Sequence, residues 1–484
     1  MINLLPTPKK YEFADGAAVE IARTVFCDQP AWRDAVEAFC ESFLRMYEET
    51  LMLTADKTGA GVCVAYDATL DNNAYRLDST SGKLIVAAGG KEGLNYAFAS
   101  VLFLTDCKKG IWTVKPLCVE DYPEKDWRGF MVDMGIVWHP FEKLLKYVDL
   151  CFIYKIKYLH LHVMDDRYYS IPSRAFPKLN KAGKCYTYEQ MEALNRYAEA
   201  RGVVLVPELE CPGHAAILNH AYPEVFSNHP DGEMGKFYNE LGAEIDTASL
   251  ICAGSETAFE GIKTLLSEMA ELFPNAPYIH IGGDEANHVW WGQCRDCRAY
   301  MEAHGIADTQ TLYSEYVGRV ASYVLSLGRT PIVWEGFPKE SAHYVPKETV
   351  VIAWESHYQL ANELLDNGFK IINASWQPTY FVSSLRRRWS PEDLLDWNIY
   401  NWQHWWPKSV ATEHPIQLEP TDDLLGAQLC SWGLPYELHI SRLMENFPAF
   451  AERVWSPTVR LENEVYRDVY KKVWEKTAIY LQDK

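Results

Sequence analysis

The sequence predicts an α/β protein, a (β/α)8 TIM barrel preceded by a small α/β domain. Eight apolar, β-rich segments recur over residues 129–432, and most of them are followed by an amphipathic helical pattern. No GxGxxG motif, which would favour an open doubly wound sheet, follows any of the eight segments. The count and the alternation are those of a closed barrel of parallel strands.

The first 122 residues predict the small domain. Short β-rich runs lead to one apolar helical pattern, and the chain changes character near the segment DYPEKD, residues 121–126. The runs are AVEIARTVF, GVCVAY, YRLDS and KLIVAA, and the helical pattern is LNYAFASVLFLTD. We therefore predict a small N-terminal α/β domain over residues 1–122 and the barrel over residues 123–484.

The barrel elements follow in chain order. The predicted strands are GFMVDM (129–134), YLHLHVMD (158–165), VVLVPELE (203–210), YIHIGGD (278–284), TPIVWE (330–335), VVIAWE (350–355), FKIINAS (369–375) and LLGAQLCSW (424–432). Helical patterns between them include FEKLLKYVDLCFIYK, TYEQMEALNRYAEARG, TAFEGIKTLLSEMAELF and TLYSEYVGRVASYVLSLG.

Composition restricts the partners. The chain has 484 residues, is 48% hydrophobic and carries a formal net charge of −20, so it can bury a large core but lacks the basic clusters that nucleic acid and anionic membranes require. The start of the chain shows no signal-peptide pattern, and no apolar run is long enough to span a membrane. We expect no nucleic-acid or membrane partner and a cytoplasmic location, although a trimmed secreted protein would look the same.

The twelve cysteines are scattered along the chain, which favours reduced thiols over a disulfide framework. Cys294-Arg-Asp-Cys297 is a lone CxxC motif. Without a second pair, a structural or incidental role is favoured over zinc binding. The sequence therefore predicts neither a metal site nor a cofactor.

Acidic and tryptophan side chains gather at the C-terminal ends of the predicted strands, where barrels place active sites. Acids alone would be explained as helix caps, and any single Trp as part of the core. Trp at three strand ends beside carboxylates instead indicates a pocket for a sugar, whose apolar face stacks on indole. The residues are Asp133, Asp165, Asp166, Glu208, Glu210, Asp284, Glu285, Trp334, Glu335, Trp354, Glu355 and Trp432.

Asp284 and Glu285 are adjacent in the segment YIHIGGDE. Neighbouring side chains on a strand point to opposite faces, so adjacent acids would not normally share one site. Gly282 and Gly283 let the chain leave strand geometry just before the acids. Both carboxylates are therefore expected to face one cavity.

Four segments in this order, WRGFMVDMG, YLHLHVMDD, VPELECPGHAAIL and HIGGDE, resemble the family 20 glycoside hydrolases, the β-N-acetylhexosaminidases. The start of the small domain, LLPTPKKYEF, resembles the domain that precedes the barrel in that family. The resemblance implies an exo-acting enzyme that removes terminal β-linked N-acetylglucosamine or N-acetylgalactosamine from an oligosaccharide or glycoconjugate. It also implies retention of configuration, because the substrate's own acetamide forms an oxazolinium ion.

The same resemblance implies catalytic roles. Glu285 matches the general acid and base, and Asp284 matches the acid that orients the acetamide N–H. Tyr380 matches the tyrosine that bonds the acetamide carbonyl. Asp165 and His214 match a pair behind the acid, although His214 in Pro-Gly-His would by itself be interpreted as a loop residue.

Substrate-binding positions are implied as well. Arg128 matches an arginine that binds sugar hydroxyls, although a lone Arg before a strand is otherwise more often a surface or salt-bridge residue. Trp334, Trp354 and Trp432 match the walls of the acetamide pocket, and Trp376 is an alternative aromatic residue beside the tyrosine position.

Two positions depart from the family pattern. Val382 and Leu434 stand where many relatives carry an Asp and a Glu that hold the outer hydroxyls of the terminal sugar. The preference between the gluco and galacto sugars, and the tolerance of a substituted C6, are therefore expected to be altered, unless Glu437 or Trp405 replaces the lost contacts.

Two other functions remain open. One is a metal-dependent enolase-like barrel enzyme. It is suggested by His160 and His162, which stand next to two Asp residues, and by the carboxylates at several strand ends, but the sequence offers no clear catalytic base. A non-catalytic sugar-binding protein would lack one of the two acids, and both are present.

Overall fold

The computed structural model describes residues 2–231, 237–238, 244–382 and 388–482. Its central element is a closed barrel of eight parallel strands, in which each strand pairs with the next along the chain and the eighth pairs with the first. The strands are Trp127–Asp133, Tyr158–His162, Val204–Glu208, Tyr278–His280, Thr330–Trp334, Val350–Ala353, Lys370–Asn373 and Leu424–Trp432. The predicted barrel is confirmed, and each predicted segment overlaps one of its strands; the first strand begins two residues before the predicted one.

Helices surround the barrel, and all four predicted helical patterns are helices. Three of these begin at side-chain caps, because Thr187, Ser255 and Asp308 accept a backbone N–H of the first helical turn. The helices are Phe141–Ile153, Tyr188–Ala200, Ala216–Ala221, Pro223–Phe226, Glu256–Leu272, Arg295–His304, Thr309–Ser326, Ala361–Asp366, Trp376–Thr379, Pro391–Asp396, Val410–Glu413, Tyr436–Leu443, Phe447–Trp455 and Asn463–Tyr480. Within the described ranges, none of the helices combines the length and the apolarity needed to cross a lipid bilayer.

The N-terminal residues form a small α/β unit before the barrel. Its main sheet contains Lys10–Phe13, Thr24–Cys27, Met52–Leu53, Val62–Tyr66, Tyr75–Asp78, Leu84–Ala88 and Leu117–Asp121, and a second sheet contains Val19–Glu20, Thr105–Lys108 and Ile111–Val114. Helix Lys91–Leu104 is the predicted one. Helix Arg33–Tyr47 was not predicted, although its buried Val36, Phe39 and Phe43 follow helical spacing.

A buried polar cluster joins the small unit to the barrel. The Lys155 ammonium donates to Asp121 Oδ2 at 2.8 Å and to the Tyr75 hydroxyl at 2.8 Å, and the indole N–H of Trp455 donates to Asp121 Oδ1 at 2.9 Å. Lys155 and Asp121 are both fully buried. Removing either charge would leave the other one unpaired in the interior, so the cluster ties the two parts of the chain together.

Arg128 belongs to this interface, and the prediction that it binds sugar hydroxyls is wrong. Its buried guanidinium lies 5.2 Å from the ring centroids of both Tyr96 and Trp455, and its N–H groups donate to three backbone carbonyl groups. Residue 128 is the second residue of the first barrel strand. At about 3.3 Å per residue, it lies about 16 Å from the carboxyl end of that strand, so it sits at the end of the barrel opposite to the active-site face.

Candidate active site

The fourth barrel strand ends at His280, and the chain turns before the two acids. Gly282 and Gly283 have φ values of +68° and +89°. A Cβ on Gly282 would lie 1.9 Å from Glu210 Oε2, and one on Gly283 would lie 2.4 Å from Val333 Cγ2. Both positions therefore require glycine, for conformation and for space.

Glu285 itself has a φ of +45°, in the left-handed region that non-glycine residues rarely adopt. Such backbone strain persists where the surroundings hold it and is concentrated at functional sites. The turn brings Glu285 Oε2 to 3.4 Å and Asp284 Oδ2 to 4.0 Å from the same nitrogen, Nε2 of His214. The two adjacent carboxylates thus lie on the same side of the chain, next to one imidazole.

The His214 imidazole lies between Asp165 on one side and the two acids on the other. Asp165 Oδ2 lies 3.7 Å from His214 Nδ1, on the side of the ring away from Glu285. Burial disfavours the imidazolium, but Asp165, Glu285 and Asp284 together raise the pKa of His214 well above its ordinary value. His214 is therefore a cation at neutral pH that the surrounding carboxylates stabilise.

Asp284 is the deeper of the two acids. Its side chain is 10% exposed, whereas that of Glu285 is 55% exposed. The pKa of Asp284 is raised to about 7. Burial is the largest cause, and the charges of Glu285 and Glu208 add to the rise, while the charge of His214 opposes it. Asp284 Oδ1 is buried and accepts no hydrogen bond from the described residues, which leaves it available for a ligand N–H.

A buried network below the acids centres on Glu208. Glu208 Oε1 accepts the indole N–H of Trp334 at 2.7 Å and lies 2.8 Å from His280 Nδ1. Glu208 Oε2 lies 3.0 Å from His160 Nε2 and also contacts His162 Nδ1. Burial disfavours the charged carboxylate, but the three imidazoles outweigh it and hold the pKa of Glu208 well below its ordinary value. His160 and His162 are therefore partners of a carboxylate that also orients a pocket tryptophan.

Five aromatic side chains form a continuous cluster beside the acids. Tyr380 lies 4.5 Å from Trp376, 6.0 Å from Trp354 and 6.4 Å from Trp432 between ring centroids, and Trp334 lies 6.0 Å from Trp432. Burial, and to a smaller extent the nearby charge of Asp284, raises the pKa of Tyr380 well above its ordinary value, so the phenol keeps its proton. The cluster offers stacking faces and one hydroxyl donor.

Tyr380 reaches this cluster through a short additional strand. Strand Tyr380–Val382 pairs in parallel with Cys430–Trp432 at the end of the eighth barrel strand.

Of the ten predicted site residues, the structure thus brings nine to the carboxyl end of the barrel and leaves out Arg128. The nine are Glu285, Asp284, Tyr380, His214, Asp165, Trp334, Trp354, Trp432 and Trp376.

Glu335 has a role that was not predicted. Its buried carboxylate accepts six backbone N–H bonds from the consecutive residues 354–359, at 3.0 to 3.3 Å to Oε2 and at 2.8 to 3.4 Å to Oε1. This loop carries Trp354, Glu355 and Tyr358. Burial raises the pKa of Glu335, and the backbone N–H groups of residues 356–359 offset part of that rise. Glu335 is therefore a positioning residue for the loop after the sixth strand.

Glu355 and Tyr358 were also missed as members of the site. Burial, then the charges of Glu285, Glu335 and Asp284, raise the pKa of Glu355 to about 9, so this side chain is a neutral acid at pH 7. Tyr358 lies in the field of the same carboxylates. Glu355 was identified in the sequence only as an acid at a strand end, and Tyr358 lies in a loop where no sequence pattern distinguishes it.

We expect Glu335→Gln to loosen the loop of residues 354–359. An amide would present N–H groups to backbone donors that now bond to a carboxylate, and leaving buried donors unpaired costs about 1–3 kcal/mol each. The expected result is a lower unfolding temperature and faster hydrogen exchange confined to residues 354–359. Exposed Glu340→Gln is the matched control. Wild-type exchange in this loop would contradict the assigned role.

Two family models match most of the chain. The family model described as glycosyl hydrolase family 20, catalytic domain, matches residues 126–458, and the model described as glycosyl hydrolase family 20, domain 2, matches residues 1–122. The chain is 28% identical over 421 residues to a β-hexosaminidase of Akkermansia muciniphila, covering 80% of each chain. It is 26% identical to a β-hexosaminidase of Vibrio furnissii, covering 82% of this chain and 66% of that one.

Solved structures share the fold. An exo-β-N-acetylglucosaminidase from Vibrio harveyi superposes with a TM-score of 0.86 at 21% identity, covering 99% of this chain and 77% of that one. A β-N-acetylhexosaminidase from Bacteroides fragilis superposes with a TM-score of 0.79 at 23% identity, covering 98% and 96%. Because the catalytic-domain model spans all eight barrel strands and the turn that presents Asp284 and Glu285, the chain belongs to glycosyl hydrolase family 20.

Proposed function

We propose that this protein is an exo-β-N-acetylhexosaminidase, with residues 1–122 as the preceding domain and residues 123–484 as the catalytic barrel. Its substrate is an oligosaccharide or glycoconjugate with a terminal β-linked N-acetylhexosamine. The pairing of Asp284 and Glu285 on one imidazole, next to an aromatic cluster, carries the proposal. The relatives named β-hexosaminidase support it. Family membership disfavours the enolase-like alternative, and the presence of both acids disfavours a non-catalytic sugar-binding protein.

Glu285 acts as general acid and then as general base. In the first step the acetamide oxygen of the substrate forms a bond to the anomeric carbon, while Glu285 transfers its proton to the departing glycosidic oxygen. In the second step water attacks the anomeric carbon, gives its proton to Glu285, and the oxazolinium ring opens. The 55% exposure of Glu285 suits a group that must reach both the leaving group and water.

Asp284 and Tyr380 hold the acetamide in line for this attack. Positive charge develops at the acetamide nitrogen as the ring forms, and the Asp284 carboxylate accepts that N–H and stabilises the charge. The protonated Tyr380 hydroxyl donates to the carbonyl oxygen that attacks. A group held in position in this way removes much of the entropic cost of the displacement.

Product configuration tests the proposal directly. With an aryl β-N-acetylglucosaminide or β-N-acetylgalactosaminide, NMR should show the β-anomer as the first product, because two displacements at the anomeric carbon restore its configuration. A thiazoline analogue of the oxazoline should inhibit strongly as an intermediate-like ligand. An α-anomer, or hydrolysis that does not depend on the acetamide, would overturn the mechanism.

The pH profile should reveal Asp284. Since its pKa is raised to about 7, the stabilising carboxylate is lost as pH falls through that value. We expect kcat/KM, which reports groups of the free enzyme, to fall about tenfold for each pH unit below about 7. Asp284→Asn should be slow at every pH and should lack this limb. A wild-type profile that stays flat down to pH 5 would contradict the assignment.

Discrimination at the outer hydroxyls should be weak. Val382 is half-buried and Leu434 is buried, and neither can accept a hydrogen bond from O4 or O6. A buried carboxylate at these places would penalise an epimer that leaves it unpaired, and aliphatic side chains impose no such penalty. We expect kcat/KM for the N-acetylglucosaminide and the N-acetylgalactosaminide to agree within about tenfold, and a 6-O-sulfated substrate to be accepted.

The double substitution Val382→Asp and Leu434→Glu is the matched test, because it should lower turnover of the 6-O-sulfated substrate more than that of the unmodified ones. A preference of the wild type above about a hundredfold for unmodified N-acetylglucosamine, about 2.7 kcal/mol, would show that other residues supply these contacts.

A further inference from the structure

Three buried cysteines meet outside the proposed active site. Cys252 Sγ lies 3.6 Å from Cys294 Sγ and 3.6 Å from Cys297 Sγ, and the three sulfur atoms all lie within 4.8 Å of one another. None of the three thiols takes part in the hydrolytic mechanism. The CxxC motif of the sequence thus acquires a third cysteine from a distant part of the chain.

The spacing of the sulfur atoms suits a shared metal ion. A disulfide requires an S–S distance of about 2.05 Å, which is far shorter than either contact. Tetrahedral zinc binds thiolates at about 2.3 Å, which places neighbouring sulfur ligands about 3.8 Å apart. The observed 3.6 Å is close to that edge length.

The start of a helix and a backbone N–H group lie beside the CxxC motif. Cys294 precedes the first turn of helix Arg295–His304, and Cys297 lies within that turn, where the helix terminus stabilises negative charge. Cys294 Sγ also accepts the backbone N–H of His229 at 3.3 Å.

Asn228 lies next to Cys297 of the cluster. Its amide N–H donates to the Leu250 carbonyl at 2.8 Å, and its Oδ1 lies 3.9 Å from Cys297 Sγ. An amide oxygen or a water molecule can complete a four-coordinate site with three thiolates. A soft donor set of this kind selects zinc over magnesium or calcium.

We propose that Cys252, Cys294 and Cys297 bind a thiophilic divalent cation, with zinc as the expected ion, and that this site fastens two active-site loops together. Cys294 ends the segment that follows Glu285, while Cys252 ends the segment that follows His214. Arg295 N–H already donates to the His229 carbonyl at 2.9 Å, and the indole N–H of Trp291 donates to the Ile251 carbonyl at 2.9 Å. A metal at the three sulfurs would lock this junction.

The junction also touches the His214 loop. Ile251 N–H donates to the Pro212 carbonyl at 3.1 Å, and Ala215 N–H donates to the Ser249 carbonyl at 3.0 Å. The metal would therefore act as a structural ion that fixes the positions of the segments bearing His214 and Glu285 relative to each other. It takes no part in bond cleavage.

The full chain, purified without added chelator and dialysed against zinc, should contain about one zinc ion per molecule by plasma mass spectrometry. Cobalt exchanged into the site should give the sulfur-to-metal charge-transfer band and the strong d–d bands of tetrahedral thiolate coordination. Cys297→Ser should lose both signals, and the buried Cys63→Ser, in the small N-terminal unit, should keep them.

Wild-type protein supplies a readout that does not depend on folding of a variant. Removal of the ion with a strong chelator should lower the unfolding temperature and expose three additional reactive thiols, and zinc should reverse both changes. An intact mass two daltons below that of the reduced chain would show a disulfide and overturn the proposal. So would three free thiols that bind neither zinc nor cadmium.

Discussion

Glu285→Gln is expected to lower kcat by about 10³-fold for a β-linked disaccharide of N-acetylglucosamine, and by much less for an aryl glycoside with a good leaving group. The amide keeps the size of the side chain but cannot transfer a proton. A sugar alkoxide is a poor leaving group and needs that proton, whereas an activated phenolate departs without it. The ratio of the two losses is the measurement that identifies a general acid.

Azide distinguishes the two roles of Glu285, as acid in the first step and as base in the second. Because azide attacks without giving up a proton, it should restore turnover of the activated substrate and yield the β-glycosyl azide. Wild-type affinity of Glu285→Gln for the thiazoline would show that the pocket is intact. Equal fractional losses for the two leaving groups would assign Glu285 another role.

Asp284→Asn is expected to lower kcat by about 10²–10³-fold, roughly 3–4 kcal/mol, for good and poor leaving groups alike. The loss is independent of the leaving group because Asp284 acts on the acetamide, whose nitrogen becomes positive as the ring closes. The asparagine amide has no charge to offset it, and it can place an N–H against the substrate's N–H.

Binding of the thiazoline distinguishes this role from that of Glu285. The inhibitor mimics the charged ring, so its affinity should fall in Asp284→Asn by a factor similar to the fall in kcat. Exposed Asp246→Asn is a matched control on the loop that contacts the His214 segment, and it should behave as the wild type. A loss in Asp284→Asn that depends on the leaving group, with unchanged thiazoline affinity, would contradict the assignment.

Both acids could be placed from the sequence because their positions follow from local rules. Apolar β-rich runs predict the strands, and parallel strands in a barrel bring all their carboxyl ends to one face. Gly282 and Gly283 indicate the turn, and the observed φ values of +68° and +89° show why glycine is needed there. The same reasoning brought Trp334, Trp354 and Trp432 to the right face, because each stands at the carboxyl end of a barrel strand. Tyr380 and Trp376 were identified only through the family resemblance.

Arg128 shows where the family resemblance misled. The motif WRGFMVDMG spans the first barrel strand, Trp127–Asp133, and Arg128 lies at the amino end of that strand, away from the site. Its side chain instead packs against Tyr96 of the small N-terminal unit and against Trp455, the last residue of helix Phe447–Trp455. These are contacts between residues far apart along the chain, and no periodicity predicts them.

The sequence by itself determined the barrel, the face that carries the site, and the adjacency of Asp284 and Glu285, because hydrophobic periodicity and glycine conformations act within a few residues. Only the tertiary structure decided the rest. Glu335 accepts bonds from a loop about twenty residues further on, and Cys252 joins Cys294 and Cys297 across more than forty residues. Which distant groups share a buried carboxylate or a cluster of thiols depends on how the loops pack, since burial requires polar partners without specifying which ones.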